Sequence, residues 1–517
     1  MAQPPQWLSS GIGGGSALFY PSISPHDNQV MYAASDLSGM FVTKDGGENW
    51  EIVPFQELIA TTESKVNFTS DPNILYTVCR DFIADLDYIC KSIDGGASWQ
   101  RKEIPILDGE VEYLYADPQA TDRLVVSTYD QLFYSTDGGE NFILKYTAET
   151  DAGLHIGGVF WDAADIYIGS TDGLLQSTDN GVSFEKNQVN GLPANFGFLS
   201  FCGTKQGDEL RFFSVARDKF DTYPGIWGTD YWDEESKFFC VEKSGTNFQT
   251  MDEGFDFTSN NFPFFVAAAD NDLNTVFVAG SRLAANGSAV PSIWKSTNGG
   301  QSWDYVLQTE NNGNIATGYM GKGGVLDWQW SENAMGFAVA PNDPQRAVIT
   351  DFSFLHLTTD GGESWQATYV PPAERNQAGS LTPIEKSYTS NGLENTSIWN
   401  LYWANADDLF AATTDLTGLR STNGGTSWTL EYNGLDYFDE DDFSQKRFNT
   451  VYQISEHPEN GVWYAAASTL HDIYQTHILT DNELDGFNEL GSIWQSTDAG
   501  ENWTLIQEFE QLSILQT

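Results

Sequence analysis

The stretch Thr43-Lys-Asp45-Gly-Gly47-Glu-Asn-Trp50 is the first copy of a motif that recurs along the chain. Its pattern is Ser/Thr-x-Asp/Asn-x-Gly-x-x-Trp/Phe, and the further copies run from Ser92 to Trp99, Ser135 to Phe142, Ser177 to Phe184, Ser296 to Trp303, Thr358 to Trp365, Ser421 to Trp428 and Ser496 to Trp503. A degenerate ninth copy runs from Lys243 to Phe248. An Asp or Asn side chain bonds backbone N–H groups within a tight turn, and the glycines supply positive φ angles. The motif is therefore predicted to be a structural turn between two strands, covered by its aromatic ring.

This motif resembles the Asp-box, or BNR repeat, of β-propeller proteins. Each copy follows three runs rich in β-branched and aromatic residues and precedes a fourth, which is the layout of a four-stranded blade. The chain is therefore predicted to be all-β, with eight or nine blades in one ring and residues 1–517 as a single propeller. Two smaller propellers packed together are the alternative.

The charge of the chain limits its partners. Its 517 residues include 73 acidic and 24 basic side chains, which gives a net charge of −49. Such a field repels nucleic acid and anionic membrane surfaces, so we expect neither as a partner. No apolar run has transmembrane length, and the first residues do not form a signal peptide. We expect a monomeric protein, secreted or periplasmic, whose signal peptide is absent from this chain.

The cysteines predict one disulfide and no zinc site. Cys79 and Cys90 are predicted to face each other on neighbouring strands of one blade, whereas the pairing of Cys202 and Cys240 stays open. No Cys-x-x-Cys pattern occurs. No cofactor is expected, with a structural calcium ion as the open alternative.

A second recurring feature is a polar residue at the end of the second strand of each repeat. Equivalent positions of successive blades reach equivalent places around a ring, so these residues are predicted to line one face near the central channel. The alternative is that they are ordinary turn residues facing water. The candidates are Asp36, Arg80, Asp130, Asp172, Arg217, Arg282, Asp351, Asp415 and His471. Glycoside hydrolysis needs one protonated and one ionised carboxyl group, but spacing alone does not select the pair.

Three segments resemble the xyloglucanase family, glycoside hydrolase family 74. A glycine run from Gly13 leads to Val30-Met-Tyr-Ala-Ala-Ser-Asp36-Leu-Ser-Gly39, which is similar to the family's Tyr-Ala-x-Thr-Asp-x-Gly-Gly. The second segment is Gly392-Leu-Glu-Asn-Thr, followed by Leu409-Phe-Ala-Ala-Thr-Thr-Asp415-Leu-Thr-Gly418, and it is similar to Gly-Ile-Glu-Glu-Thr and Gly-Asp-x-Gly-Gly. The third segment is 326–344. The resemblance implies Asp36 as the catalytic base and Asp415 as the catalytic acid. Family members are longer, with two seven-bladed propellers, and have Gly-Gly where this chain has Ser-Gly or Thr-Gly.

The resemblance also implies that the chain is a secreted glycoside hydrolase that acts on a neutral β-linked polysaccharide such as xyloglucan or another β-glucan. Inversion is expected if the two carboxyl groups lie about 6.5–9.5 Å apart, and retention at about 5–5.5 Å. Tryptophans beside loop-like sequence are predicted to stack on sugar rings, with packing between blades as the alternative. These are Trp227, Trp232, Trp328 and Trp330.

Two other functions stay open. The first is a non-catalytic propeller that binds carbohydrate or protein. The second is a polysaccharide lyase, with His155, His471 or Tyr129 as base and arginines that neutralise a uronate. Those arginines would be Arg80, Arg217 and Arg282. A sialidase is not expected, because arginine is scarce and a Phe-Arg-Ile-Pro-like start is absent.

Overall fold

The computed structural model describes residues 9–509 except 15, 38, 105–106, 108–109, 188–189, 222–236, 245–246, 251–259, 332, 431–449 and 469–490. Of 221, 237–244 and 247–250, the backbone alone is described. Within these residues, nine sheets follow one another along the chain, and the strands of each sheet are consecutive in sequence. We call the sheets blades 1 to 9. All pairings are antiparallel except that of the short strand β25, which runs parallel to β29 in blade 7.

The first four blades contain the following strands. Blade 1 comprises β1 (Leu18–Ile23), β2 (Met31–Ser35), β3 (Met40–Thr43) and β4 (Glu51–Ile52). Blade 2 comprises β5 (Asn67–Phe68), β6 (Leu75–Asp81), β7 (Leu86–Ser92) and β8 (Gln100–Lys102). Blade 3 comprises β9 (Tyr113–Ala116), β10 (Leu124–Ser127), β11 (Gln131–Ser135) and β12 (Ile143–Thr147). Blade 4 comprises β13 (Ile156–Asp162), β14 (Asp165–Ser170), β15 (Gly173–Ser177) and β16 (Glu185–Asn187).

Five more blades follow in the same layout. Blade 5 comprises β17 (Phe196–Gln206), β18 (Glu209–Asp218), β19 (Lys237–Ser244) and β20 (Asn247–Thr250). Blade 6 comprises β21 (Asn261–Ala268), β22 (Val276–Leu283), β23 (Ala289–Ser296) and β24 (Asp304–Tyr305). Blade 7 comprises β25 (Ile315–Ala316), β26 (Gly336–Ala340), β27 (Asp343–Thr350), β28 (Leu355–Thr358) and β29 (Trp365–Ala367). Blade 8 comprises β30 (Ile398–Trp403), β31 (Leu409–Thr413), β32 (Gly418–Ser421) and β33 (Thr429–Leu430). Blade 9 comprises β34 (Thr450–Glu456), β35 (Trp463–Ser468), β36 (Gly491–Ser496) and β37 (Thr504–Phe509).

Helix is limited to single turns in the part of the chain that is described. One α-helical turn, α1 (Trp328–Ser331), lies between β25 and β26. The 3-10 turns are Lys219–Asp221, Glu310–Asn312 and Pro372–Glu374. The chain is therefore all-β, as predicted.

The repeated motif forms the turn between the third and fourth strands, as predicted. In the second copy, Ser92 Oγ accepts the N–H of Gly96 at 2.8 Å, and Asp94 Oδ1 accepts the N–H of Ser98 at 2.9 Å. The Ser98 hydroxyl donates to the other carboxylate oxygen at 2.6 Å and holds the pKa of Asp94 below its usual range. Gly96 has a φ of 88°, which a side chain rarely allows. The Trp99 ring is buried in a core that blades 1 and 2 share, so each turn also joins neighbouring blades.

The order of the blades in space shows where the ring closes. Strand β1 packs against β26, and the Leu18 N–H donates to the Asp351 carbonyl at 3.1 Å, so blade 1 lies beside blade 7. One cavity is lined by residues from each of blades 1 to 7. Strand β34 of blade 9 packs against β30 and β31 of blade 8. Blades 1 to 7 thus surround one cavity, with blade 7 beside blade 1, and blades 8 and 9 pack against each other. The number of blades in a ring and the division of the chain into propellers stay predictions.

A large buried core fixes blade 8 against the ring. It combines apolar side chains of blades 1, 6, 7 and 8, including Phe354 and Leu416, with Ile12 from the segment before β1. The Trp50 N–H donates to the Asn391 carbonyl at 2.7 Å, which joins the first repeat motif to the segment before β30. Blades 1, 7 and 8 therefore hold one another in a fixed arrangement.

The predicted disulfide between Cys79 and Cys90 is present and links β6 to β7. Cys202 is a free thiol. The side chain of Cys240 lies outside the described part of the structure.

Candidate active site

Asp36 is an exposed residue at the end of β2, and a buried hydrogen-bond network holds the backbone beside it. Its N–H donates to the Ala17 carbonyl at 3.2 Å. The preceding residue, Ser35, donates its hydroxyl to Asn395 Oδ1 at 2.6 Å. Asn395 Nδ2 in turn donates to the Ser16 carbonyl at 2.6 Å. The strand end that carries Asp36 is therefore fixed to the segment that leads into blade 8.

Asp415 is half-buried and lies in a strained turn after β31. Asp415 has a φ of 60° and Thr417 has a φ of 61°. A β-branched residue in the left-handed region is an outlier that costs on the order of 1–3 kcal/mol, and such outliers cluster at functional sites. The turn is held by Thr450 of blade 9, whose Oγ1 accepts the Asp415 N–H at 3.4 Å. Trp399 Nε1 donates to Thr414 Oγ1 at 2.7 Å and supports the same turn from within blade 8.

The glycine run lets the segment before β1 pass between blades 7 and 8. A Cβ on Gly13 would lie 2.4 Å from the Asn395 nitrogen. A Cβ on Gly14 would lie 3.2 Å from the Phe354 ring and 3.7 Å from Leu416. Gly13 thus approaches the hydrogen-bond network beside Asp36, and Gly14 approaches Leu416, the residue next to Asp415. We call this region, formed by 13–14, 16, 35, 394–395 and 416, the junction; both predicted catalytic aspartates border it.

A third carboxyl group, that of Glu394, lies at the junction and was not selected from the sequence. Burial raises its pKa above the usual range. Its Oε1 accepts the Gly392 N–H at 3.3 Å and also a hydrogen bond from the Ser390 hydroxyl. A carboxyl group of this kind can hold a proton closer to neutral pH. The available signal was its place in Gly392-Leu-Glu-Asn-Thr, the segment that is similar to the family.

Asp351 does not offer its carboxyl group to a ligand, which corrects one predicted site residue. Its side chain is 1% exposed. Its Oδ1 accepts N–H groups of Ser353 at 3.0 Å and Phe354 at 2.7 Å, so it shapes the turn between β27 and β28. Burial raises its pKa to about 8. This residue supports the packing of Phe354 against the junction.

Other predicted strand-end residues are also held inside the protein. Asp172 is 4% exposed and accepts the Tyr146 hydroxyl at 3.0 Å and the Glu149 N–H at 2.7 Å. Arg217 is 2% exposed. These two residues cannot face a ligand in the way predicted, because their side chains pack within and between blades. Asp130 is exposed, and His471 lies outside the described residues.

The two remaining arginines have local partners. Arg80 pairs with Asp87 at 2.7 Å, and with Asp85, across its own hairpin. Arg282 lies 4.7 Å from the centroid of the Tyr305 ring and pairs with Glu310. Each arginine is therefore engaged within its own part of the fold.

The structure also corrects the predicted sugar-stacking role of one of the four tryptophans. Trp328 is 2% exposed and donates to Asn312 Oδ1 at 2.8 Å, so it belongs to the core and cannot stack on a sugar. Trp330 is half-buried and donates to Ser353 Oγ at 3.1 Å. Trp227 and Trp232 lie outside the described residues.

His155 is not available as a lyase base. The side chain is buried, its Nε2 donates to the Leu199 carbonyl at 2.7 Å, and its Nδ1 accepts the Tyr113 hydroxyl at 2.8 Å. Burial lowers its pKa to about 4. Tyr129, the other described candidate for this role, is exposed.

Among the described residues, no group of three or more His, Cys, Asp or Glu side chains is placed to hold a metal ion. Within the same ranges, no helix has the length and apolar character needed to cross a membrane. A structural calcium ion stays a prediction.

Solved structures show what this fold resembles. No family model and no curated protein matches the chain. The GH74 enzyme of Niastella koreensis superposes with a TM-score of 0.67 at 15% identity, over 96% of this chain and 67% of that one. An ancestral GH74 enzyme gives a TM-score of 0.67 at 15% identity, over 97% and 63% of the two chains. The GH74 xyloglucanase from Xanthomonas campestris gives 0.62 at 15% identity, over 97% and 69%. The chain thus spans about two thirds of the length of these structures, and it shares the β-propeller fold of glycoside hydrolase family 74 enzymes.

Proposed function

We propose that the chain is a glycoside hydrolase that cleaves a neutral β-linked polysaccharide at the junction. Asp415 acts as the general acid and protonates the oxygen of the leaving sugar. Asp36 acts as the general base and takes a proton from the water that attacks the anomeric carbon. One bond to the leaving oxygen breaks, one bond to water forms, and the configuration inverts.

The observation that supports this proposal most is the hydrogen-bonded junction. Asp36 and Asp415 are 379 positions apart in the chain. The hydrogen bond of Ser35 to Asn395 and the approach of Gly14 to Leu416 support a shared location for the two turns. The likeness of fold to GH74 structures supports the same reading, since one of them is described as a xyloglucanase.

The substrate class follows from charge. A net charge of −49 repels polyuronates and favours neutral glucans such as xyloglucan. The disulfide between Cys79 and Cys90 supports an oxidising compartment, so the proposal includes secretion. Hydrolysis outside the cell requires no nucleic acid, membrane or cofactor.

The test is hydrolysis of xyloglucan and mixed-linkage β-glucan, measured as new reducing ends. We expect Asp36→Asn and Asp415→Asn each to reduce kcat by about 10²-fold or more, because each removes one proton-transfer group. The matched control is Asp122→Asn, an exposed aspartate in the turn between β9 and β10, and it should keep the wild-type rate.

Three outcomes would contradict the proposal. Full activity of the two junction variants would place the chemistry elsewhere. A rise in absorbance near 235 nm on uronate polymers would indicate a lyase instead. Binding of a glucan with no product would leave a non-catalytic carbohydrate-binding propeller.

A further inference from the structure

The channel of the seven-blade ring contains a cavity at the end remote from the junction. Its volume is about 480 Å³, within the range of small-molecule sites. In β1, Leu18 pairs with Ser35 beside the first aspartate, whereas Ser22 and Ile23 at the other end of the strand line the cavity. Five residue steps separate the two ends, or about 17 Å. The cavity is therefore a separate site from the junction.

Four charged side chains line this cavity, and two of them already neutralise each other. Lys205 Nζ lies 2.6 and 2.7 Å from the two carboxylate oxygens of Asp162. The other two, Lys65 and Asp270, are different. Among the described residues, no carboxylate lies within 4.0 Å of Lys65 Nζ, which lies 5.7 Å from the centroid of the Tyr115 ring.

Asp270 is the negative counterpart of Lys65. No described residue donates a hydrogen bond to its carboxylate, and part of the residue is exposed to solvent. Burial by the surrounding ring raises the pKa of Asp270 to about 6, and burial lowers the pKa of Lys65. Both residues line the same cavity, and Lys65 Nζ and the Asp270 carboxylate do not come within the 4.0 Å of an ion pair.

We propose that this cavity binds a small zwitterion of the amino-acid class. The ligand carboxylate pairs with Lys65 and the ligand ammonium pairs with Asp270. The side chain of the ligand lies against Phe68 and Phe160, apolar members of the lining. A ligand with both charges pairs with both groups, whereas a simple anion or cation leaves one of them without a partner in the cavity. The proposal does not depend on hydrolysis at the junction.

The test is calorimetric titration of the whole chain at pH 7.5 with leucine, phenylalanine and glutamate. Acetate, butylamine and glucose serve as ligands that carry one charge or none. We expect at least one amino acid to bind and to raise Tm, with each of the other three compounds at least tenfold weaker. Comparable binding of acetate or glucose would overturn the proposal, as would no binding by any of the three amino acids.

Variants locate the binding site. Lys65→Met and Asp270→Asn should each weaken binding at least tenfold, and Lys145→Met, at a lysine on β12 outside the cavity, should not. Unchanged affinity in both cavity variants would refute the assignment.

The pH dependence of wild-type affinity gives a test that needs no variant. The titratable groups that face the cavity are Lys65, Lys205, Asp162, Asp270 and Tyr115. Affinity should fall as pH decreases through about 6, because Asp270 then becomes neutral. Affinity that stays constant from pH 7.5 to 5 would contradict the role of Asp270. Hydrolysis in the cavity variants is measured separately, so failure of one proposal does not decide the other.

Discussion

Gly13→Ala is the substitution that tests the junction most directly. The added Cβ would lie 2.4 Å from the Asn395 nitrogen, and 2.6 and 2.9 Å from the Cα and carbonyl carbon of Glu394. All three are backbone atoms, so no side-chain rotation removes the clash. An ordinary contact begins at 3.4 Å, so the nearest atom must move by 3.4 − 2.4 = 1.0 Å. The substitution therefore pushes the segment before blade 8 away from blade 1.

The magnitude follows from this displacement. Overpacking of this kind costs about 1–3 kcal/mol of folding free energy. Replacing glycine by alanine also restricts the unfolded chain, which stabilises the folded state by about 0.4–1 kcal/mol. A net loss of about 1–2 kcal/mol in the free energy of unfolding is therefore expected. The effect on rate should be larger, because a misplacement of about 1 Å between catalytic groups can cost on the order of 10²-fold. The expected signature is a small loss of stability with a large loss of hydrolysis.

The assay combines thermal unfolding with release of reducing ends from xyloglucan. The control is Gly313→Ala, at a residue with a φ of −47° whose nearest neighbours are atoms of the flexible Gln308 side chain. We expect the control to keep the wild-type Tm within about 1–2 °C and the wild-type rate. If Gly13→Ala also keeps both, the close approach of blades 1 and 8 has no energetic or catalytic role. The stability measurement remains informative if the natural substrate is a different glycan.

Three further predictions concern local features. Burial raises the pKa of Asp351 to about 8, so its contribution to stability is full below about pH 4 and is lost as pH rises through 8. The Tm of Asp351→Asn should therefore increase relative to that of the wild type between pH 6 and 9. Parallel plots of Tm against pH for the two proteins would contradict this. Replacing both Cys79 and Cys90 by alanine should cost about 3 kcal/mol in guanidinium unfolding, and reductant should then have no effect on the variant. Thr417→Asn should relieve on the order of 1 kcal/mol of backbone strain and raise Tm. The same variant should have a lower rate of hydrolysis if the strain positions Asp415. A lower Tm would show that the turn is not strained.

The local features of the fold could be predicted from sequence, because each one is encoded within a few residues. The turn motif brings its own donors, acceptors and glycines, as Ser92, Asp94 and Gly96 show. The disulfide between Cys79 and Cys90 needed only that two strands be neighbours in one blade. Four-stranded blades followed from the repeat of these units.

The contacts between distant blades and the burial of individual side chains could not be predicted from the sequence. Every blade carries the same turn motif, so the pattern contains no information about which blade contacts blade 1. That choice depends on contacts such as Leu18 N–H with the Asp351 carbonyl, between residues far apart in sequence. Loop-like neighbours predict an exposed Trp328, and its strand-end position predicts a channel-facing Asp172. Both are buried by contacts with residues outside their own segments, such as Asn312 for Trp328 and Tyr146 for Asp172, and these contacts have no local signature.

The candidate site lies where the repeat is broken. Equivalent strand ends in a symmetric ring have equivalent surroundings, and in this protein several of them, such as Asp172 and Arg217, are buried between blades. At the junction, the segment before β1 inserts between blades 7 and 8 and changes these surroundings. The two aspartates there lie beside a buried Ser35–Asn395 hydrogen bond and beside Thr417, the one β-branched residue with a positive φ in the described part of the chain. Departures from the repeat are thus better guides to function in this chain than the repeat itself, because the repeat encodes the blades and its interruptions determine which carboxyl groups can meet a substrate.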